Sequence, residues 1–421
     1  MRILWVKASK LLPVHTGGRI RSYNILKHLA AHHTVTLLSY YRGRRDEDYE
    51  REIEKQFPGT TAVCTGAPET PIKLGLSYLR RFPSRVPFAV AKFTAPEVQR
   101  FLAKNLTNHR YDIAVCDFLA PSLNFPRAAA TPTVLFQHNV ESALWRRQAD
   151  HEHAFIRRLA FRWEAVRMFT YELKTIGRFD HVVAVSEIDR KQMQSMVGHS
   201  NISVVRTGVD LQQFRSFTPS EATAPLVMFV GSMDWGANID GVEYFCSEIW
   251  PRIKAAVPAA CFRIVGRNPH PRVKRLASRE IEVTGEVPSV IDHLREAAVF
   301  VVPLRVGGGT RLKIFEAMAM RRAVVSTSIG AEGLDVCHGR DILLADAVEG
   351  FADAVIALLC DRSLSRRLEE AAYETVARYD WPVVASQFED LLIRIIRDSR
   401  ASGGVQGSTV RVVSEGTCDY G

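Results

Sequence analysis

No apolar run in the 421-residue chain approaches the roughly 18 residues a membrane-spanning helix needs; the longest lies around residues 297–304. The opening Met-Arg-Ile-Leu-Trp-Val-Lys reaches a lysine after four apolar residues, too few for a signal-peptide apolar region, so no secretory leader is expected there. These two absences set the expectation of a cytoplasmic protein. Seven cysteines (Cys64, Cys116, Cys246, Cys261, Cys337, Cys360, Cys418) form no Cys-x-x-Cys pair, and an odd count spread this widely does not suggest a disulfide framework or zinc cage. Neither a Walker loop nor a dinucleotide Gly-x-Gly-x-x-Gly is present.

What is there is an ordinary globular balance, 47% hydrophobic and 24% charged, at a length suited to two or three domains of roughly 150 residues. Lys+Arg exceeds Asp+Glu by 55 − 46 = 9, which favours anionic partners. Nucleic acid is the least favoured of these, since the excess is modest and the basic residues track phosphate-type loops and one helical region.

Short β-branched or apolar runs alternate with helical patterns along the whole chain, the signature of parallel sheets covered by helices. Strands are predicted at residues 2–6, 34–39, 60–64, 112–116, 133–136, 181–185 and 202–205. A polar, proline-marked stretch at 208–225 interrupts the pattern, and strands resume at 226–230, 261–265, 281–283, 299–302, 323–326 and 342–344. The expected organisation is an α/β fold of two doubly wound, Rossmann-like domains, 1–207 and 208–380, facing each other across a cleft. A helix at 381–398 and a disordered tail at 399–421 follow.

The strongest motif follows the strand at 299–302: Gly307-Gly308-Gly309-Thr310-Arg311-Leu312-Lys313, leading into a helix that contains Glu316. Glycines let backbone N–H groups approach an anion, Thr310 is a good N-cap, the helix N-terminus adds a favourable dipole, and Arg311 and Lys313 add charge. Glu316 lies among apolar residues, so it needs a partner, either Lys313 or a ligand hydroxyl. Gly17-Gly18 repeats the strand–glycine–helix arrangement after the first strand. His138 stands at the carboxyl end of the strand at 133–136, where ligands of such sheets bind. Asp46-Glu47-Asp48 reads as part of a solvated helix, and Ser186-Glu-Ile-Asp189 as a capping box. Arginines 146, 147, 157, 158, 162 and 167 lie among aromatic residues, a mixture that suits either a solvated helical face or contact with an anionic membrane.

In order along the chain, Gly17-Gly18, His138-Asn-Val-Glu-Ser, Val182-Val-Ala-Val-Ser186, Gly208-Val-Asp210, Phe229 through Asn238, Ile264-Val-Gly266-Arg, Thr284-Gly-Glu-Val287, Gly307 through Met320 and Val324 through Gly333 resemble the family-four (group 1) retaining glycosyltransferases of GT-B fold. The nearest look-alikes are bacterial exopolysaccharide and exosortase-associated sugar transferases. The resemblance implies a hexosyltransferase that moves a sugar from a nucleotide diphosphate-sugar to a hydroxyl acceptor with retention, in exopolysaccharide or glycolipid synthesis. It implies no metal and no cofactor beyond the donor. It assigns Gly17, Gly18, Gly231, Gly308, Gly309, Thr310 and Glu316 to the donor, and His138, Arg311 and Lys313 to catalysis. The acceptor is expected to be a glycan or lipid-linked, with peripheral contact at the inner face of an anionic membrane. The chain departs from the family pattern at Gly308, where the first of two glutamates would stand. It also lacks a basic pair between Gly231 and Asn238, leaving Arg311 and Lys313 to carry the phosphate charge. Two other readings fit the same residues: a nucleotide-sugar epimerase of this architecture, and a non-catalytic nucleotide-sugar-binding protein.

Overall fold

A computed structural model describes residues 1–66, 84–152, 154–198, 201–215, 224–306 and 312–403. Its strands are the apolar runs of the sequence. In the first sheet they are β1 (Arg2–Lys7), β2 (Thr34–Tyr41), β3 (Thr61–Cys64), β4 (Ile113–Asp117), β5 (Thr133–Phe136), β6 (His181–Ala184) and β7 (Ile202–Val204). Their order is β3-β2-β1-β4-β5-β6-β7, parallel throughout. The second sheet contains β8 (Leu226–Val230), β9 (Cys261–Val265), β10 (Ile281–Gly285), β11 (Val299–Val302), β12 (Ala323–Ser326) and β13 (Leu343–Leu344), in the order β10-β9-β8-β11-β12-β13 and again parallel. Central strands covered by helices on both faces have no polar side, so β4, β5, β11 and β12 are buried at every residue.

In both sheets the order reverses beside the first strand, which opens a crevice at the carboxyl ends of the central strands. Six helices frame the crevices: α1 (Gly17–His32), α2 (Glu141–His151), α3 (Phe155–Ile176), α4 (Gly236–Tyr244), α5 (Leu312–Ala319) and α6 (Trp381–Gly403). Helix α6 runs five residues past the expected end at 398, so the expected loose tail from 399 is corrected for residues 399–403; residues 404–421 lie outside the described part.

Helix α6 follows the second sheet in sequence but packs on the first. Val384, Phe388, Leu392 and Ile396 belong to one core cluster with Ile3, Trp5 and Phe136, and the Phe388 ring lies 5.7 Å from Trp5 and 5.0 Å from Phe136. The crossing is fastened where Val209 pairs with Asp380 and where Trp381 covers Gly208 so closely that a Cβ there would come within 2.6 Å of the indole. A second fastening is the fork between Arg147 of α2 and Glu332, two N–H···O bonds of 2.6 Å joining the two domains.

Of the expected capping box the N-cap half is present, with Ser186 Oγ accepting from the Asp189 amide and donating to Asp189 Oδ2, and Asp46 caps the exposed helix Glu47–Gln56. Six described cysteines are free thiols. Among the described residues no helix is long and apolar enough to cross a membrane.

Candidate functional site

Parallel register brings three chemically active side chains to one edge of the first sheet. Lys7 ends β1 opposite Asp117, which ends β4, and His138 follows β5 two residues beyond Phe136. All three are buried. Lys7 Nζ donates to Asp117 Oδ2 (2.7 Å), as do Ser22 Oγ (2.7 Å) and Trp5 Nε1 (3.1 Å). Burial alone would raise the Asp117 carboxyl, but Lys7 and His138 overcome it and hold Asp117 well below the usual carboxylate range. Burial lowers Lys7, against the pull of Asp117.

Both ring nitrogens of His138 are engaged within the protein. Asp117 Oδ1 lies 2.8 Å from Nε2, and Arg21 Nη1 lies 2.8 Å from Nδ1. A guanidinium only donates, so Nδ1 accepts and Nε2 carries the proton: a neutral ring in a single tautomer. Burial pushes the imidazole down to about 3 despite Asp117. Arg21, itself lowered by burial to about 10, also donates to Thr207 Oγ1 through Nε (2.9 Å). Phe118 closes the assembly from above. Its backbone is left-handed (φ 75°), and its ring stacks on His138. Gly18 makes room for that ring, since a Cβ there would fall 2.4 Å from Phe118 Cζ.

The crevice of the second domain holds the other half. At Gly266 a Cβ would sit 1.6 Å from the Gly231 carbonyl oxygen, and at Gly231 one would sit 2.6 Å from Asn238 and 2.9 Å from Lys313 Nζ. Only bare backbone permits this approach of the β8 and β9 ends to α4 and α5. Lys313 Nζ is 3.1 Å from Asn238 Oδ1 and 4.2 Å from the centre of the Phe229 ring. Burial raises the Glu316 carboxyl, and Lys313 opposes it.

Two adjoining cavities, about 770 and 510 Å³, lie between the domains and share Ile20, Leu312 and Glu316 as lining residues. The larger has Thr16 and Gly17 on one wall and Gly231, Arg267, Lys313 and Glu316 on the other. The structure thus brings Gly17, Gly231, Lys313 and Glu316 together, with Gly18 one residue behind. His138 is near Gly18 through Phe118 but is not a wall of either cavity. Gly307, Gly308, Gly309, Thr310 and Arg311 lie outside the described residues. Arg267, whose Nε lies 3.1 Å from Ser232 Oγ, faces the same cavity as Lys313 and adds a second positive charge to its wall.

A third cavity of about 420 Å³ opens in the first domain, lined by Lys7, Asp117, Phe118, Glu141, Trp145 and Met168 among others. Glu172 of α3 caps the start of α2 here, accepting from the Glu141 amide (2.8 Å), the Ser142 amide (3.1 Å) and Ser142 Oγ (2.6 Å). Burial, reinforced by Glu172, pushes Glu141 up to about 7.

The comparisons with known proteins fall on both domains. Residues 16–213 match the model of Glycosyltransferase Family 4, and residues 224–361 match that of Glycosyl transferases group 1. The chain belongs to the group 1 glycosyltransferases of GT-B fold. It is similar to a phosphatidyl-myo-inositol mannosyltransferase of Mycolicibacterium smegmatis, 28% identical over 52% of this chain and 57% of that one, so the match spans little more than half of this relative. It is 23% identical to an uncharacterized 44.6 kDa protein in the cps region of Klebsiella pneumoniae, over 84% of this chain and 90% of that one. Among solved structures, a sucrose-phosphate synthase from Thermosynechococcus elongatus superposes with TM-score 0.68 at 16% identity, covering 94% of this chain and 100% of that one. Anabaena HepE in complex with UDP and glucose superposes with TM-score 0.65 at 14% identity, again covering 94% and 100%. As in those GT-B structures, two Rossmann-like sheets face each other in this group 1 chain.

The sequence reading missed Lys7, Asp117, Arg21 and Phe118. The available signal was a charged residue closing each of two otherwise apolar strands, Lys7 after Ile-Leu-Trp-Val and Asp117 after Ile-Ala-Val-Cys.

Proposed function

We propose that the protein transfers a hexosyl group from a nucleoside diphosphate-sugar to a hydroxyl on a lipid-linked acceptor, with retained anomeric configuration, at the cytoplasmic face of an anionic membrane. The observation that carries the reading is the larger interdomain cavity, where Gly231 and Gly266 leave backbone accessible and Lys313 and Arg267 supply positive charge opposite Gly17. In the reaction the bond from the anomeric carbon to the diphosphate breaks and a bond to the acceptor oxygen forms, while the acceptor proton passes to the departing diphosphate. Charge develops on the diphosphate, and the fixed cations of the crevice stabilise it. Glu316, poorly solvated and with its carboxyl raised, suits a ribose hydroxyl. His138 serves through position: locked between Asp117 and Arg21, it fixes Phe118 and hence the floor beneath Gly18.

Support for a lipid-borne acceptor comes from α3. Phe155, Ile156, Leu159, Trp163 and Val166 fall within roughly 100° around the helix. They are exposed, Ile156 to 81% and Phe155 to 68%. Arg158 and Arg162 edge the stripe. Of the six arginines grouped in the sequence, Arg147 is tied to Glu332 and Arg167 is buried against Glu164, so the lipid-facing charge is smaller than the sequence suggests and the apolar area larger. The same two helices supply Trp145 and Met168 to the 420 Å³ cavity. The mycobacterial relative's name, a phosphatidyl-inositol mannosyltransferase, fits a lipid acceptor.

The test begins with thermal stabilisation by a panel of UDP-, GDP- and ADP-sugars, followed by mass analysis of products on lipid-linked acceptors. Addition of one hexose to an acceptor, lost in Lys313→Ala, supports the proposal. An isomerised nucleotide-sugar in the absence of acceptor, or tight donor binding without turnover, overturns it. Flotation with anionic vesicles, lost in Ile156→Asp/Leu159→Asp, tests the membrane face.

A further inference from the structure

Far from the cleft, on the seam where α6 returns to the first domain, three imidazoles converge on one carboxylate. His28 and His32 stand one turn apart on α1, and their rings meet edge-on with centroids 4.9 Å apart. Glu389 approaches from α6, its Oε2 at 2.9 Å from His28 Nε2 and 3.9 Å from His32 Nδ1. His33, the residue just past α1, lies with Nε2 at 2.7 Å from Glu389 Oε1, and its Nδ1 is 3.3 Å from the Met1 nitrogen.

We propose that His28, His32 and Glu389 form a binding site for a zinc-class divalent cation that fastens α6 to α1, independent of the sugar-transfer cleft.

Hydrogen bonding accounts for His28 and His33 but not for His32, whose Nδ1 faces the carboxylate from beyond hydrogen-bond reach. A cation between the three groups accounts for all of them. Two histidines four residues apart on a helix present their nitrogens to one point, and a carboxylate from a facing element completes a His₂Glu set with a fourth position left for water. The donor atoms of the three side chains lie within 4.8 Å of one another. Tetrahedral zinc at 2.0–2.2 Å from each ligand would hold them about 3.3–3.6 Å apart, a closing of roughly 1 Å from the widest separation seen. His33 supplies the outer support such sites require. Its Nδ1 accepts from the Met1 nitrogen, so Nε2 carries the proton and donates to Glu389 Oε1, which turns Oε2 toward the histidine pair.

The experiment is calorimetric titration of zinc chloride into the full, tag-free, chelator-treated chain, compared with His32→Ala. His32 is 54% exposed at its side chain, so its removal leaves the fold intact, which an unchanged circular dichroism spectrum verifies. The expected result is one zinc per chain with a rise in the unfolding midpoint, and at least ~10-fold weaker binding with no rise in the variant. Absence of stoichiometric zinc in the parent chain, or equal affinity in His32→Ala, overturns the site. Nucleotide-sugar stabilisation, measured in parallel, is expected to be the same in both proteins; its loss in His32→Ala would overturn the independence from the cleft.

Discussion

The Phe118 ring lies on the His138 ring with centroids 3.7 Å apart and planes inclined by 14°. That stacking, with hydrogen bonds at both nitrogens, leaves His138 2% exposed two residues beyond the end of β5. A left-handed backbone at a phenylalanine costs about 1–3 kcal/mol, and the surrounding contacts with His138, Gly18 and Lys7 hold it there.

Removing that cover should change the titration of the histidine. In Phe118→Ala the imidazole gains water, and because burial is the main cause of its depression, its pKa should rise from about 3 by at least ~1 unit. Histidine NMR titration reads this directly; an unchanged value would mean that Phe118 is not what desolvates the ring.

Stability should fall with acid for the same reason. The unfolded histidine takes up a proton near the ordinary imidazole value of 6.5, whereas the folded one does so only at about 3. Between those values the unfolded chain binds more protons, so stability rises with pH through that window and is lost as pH falls from about 6.5. Urea midpoints at pH 7.5 and 5.0 measure the slope. His138→Gln should flatten it, whatever the variant's absolute stability.

Most of the architecture was legible in the sequence because parallel strands covered on both faces are unbroken apolar runs, and β5, β8, β9, β11 and β12 end where those runs end. Strand ends that carry function were harder. Lys7 and Asp117 look like the first solvated residues after a strand, whereas pairing across the sheet buries each against the other. Arg21, four residues after Gly17, belongs by spacing to an ordinary helix face; its partners Thr207 and His138 are 186 and 117 residues away, a relation no local pattern encodes. Arg267 stood in the sequence only as the last residue of the Ile264-Val-Gly266-Arg segment; its place on the cavity wall, two residues past β9, comes from the fold.

Gly266→Ala should disable the second-domain crevice. The added Cβ meets a backbone oxygen at 1.6 Å, which no rotamer can relieve, so β8 and β9 must separate. A loss of about 1–3 kcal/mol in denaturant unfolding, with loss of UDP-dependent thermal stabilisation, is the expected outcome. Gly236→Ala, where a Cβ meets open space, should retain both.

Arg147→Ala cuts the bidentate link to Glu332. Both side chains are partly exposed, so the stability change should stay below about 1 kcal/mol. The two domains should nevertheless open, which small-angle scattering would register as a larger radius of gyration. An unchanged radius would place the hinge constraint at Gly208 and Trp381 instead.

The path of α6 also sets an order of events when the chain is made. Trp5 and Phe136 emerge from the ribosome early, yet the Phe388 ring that packs on both comes about 250 residues after Phe136. At the ~5–20 residues per second of synthesis, the first domain waits on the order of tens of seconds with that face uncovered. The second domain, lacking any such debt, can fold before the first is finished.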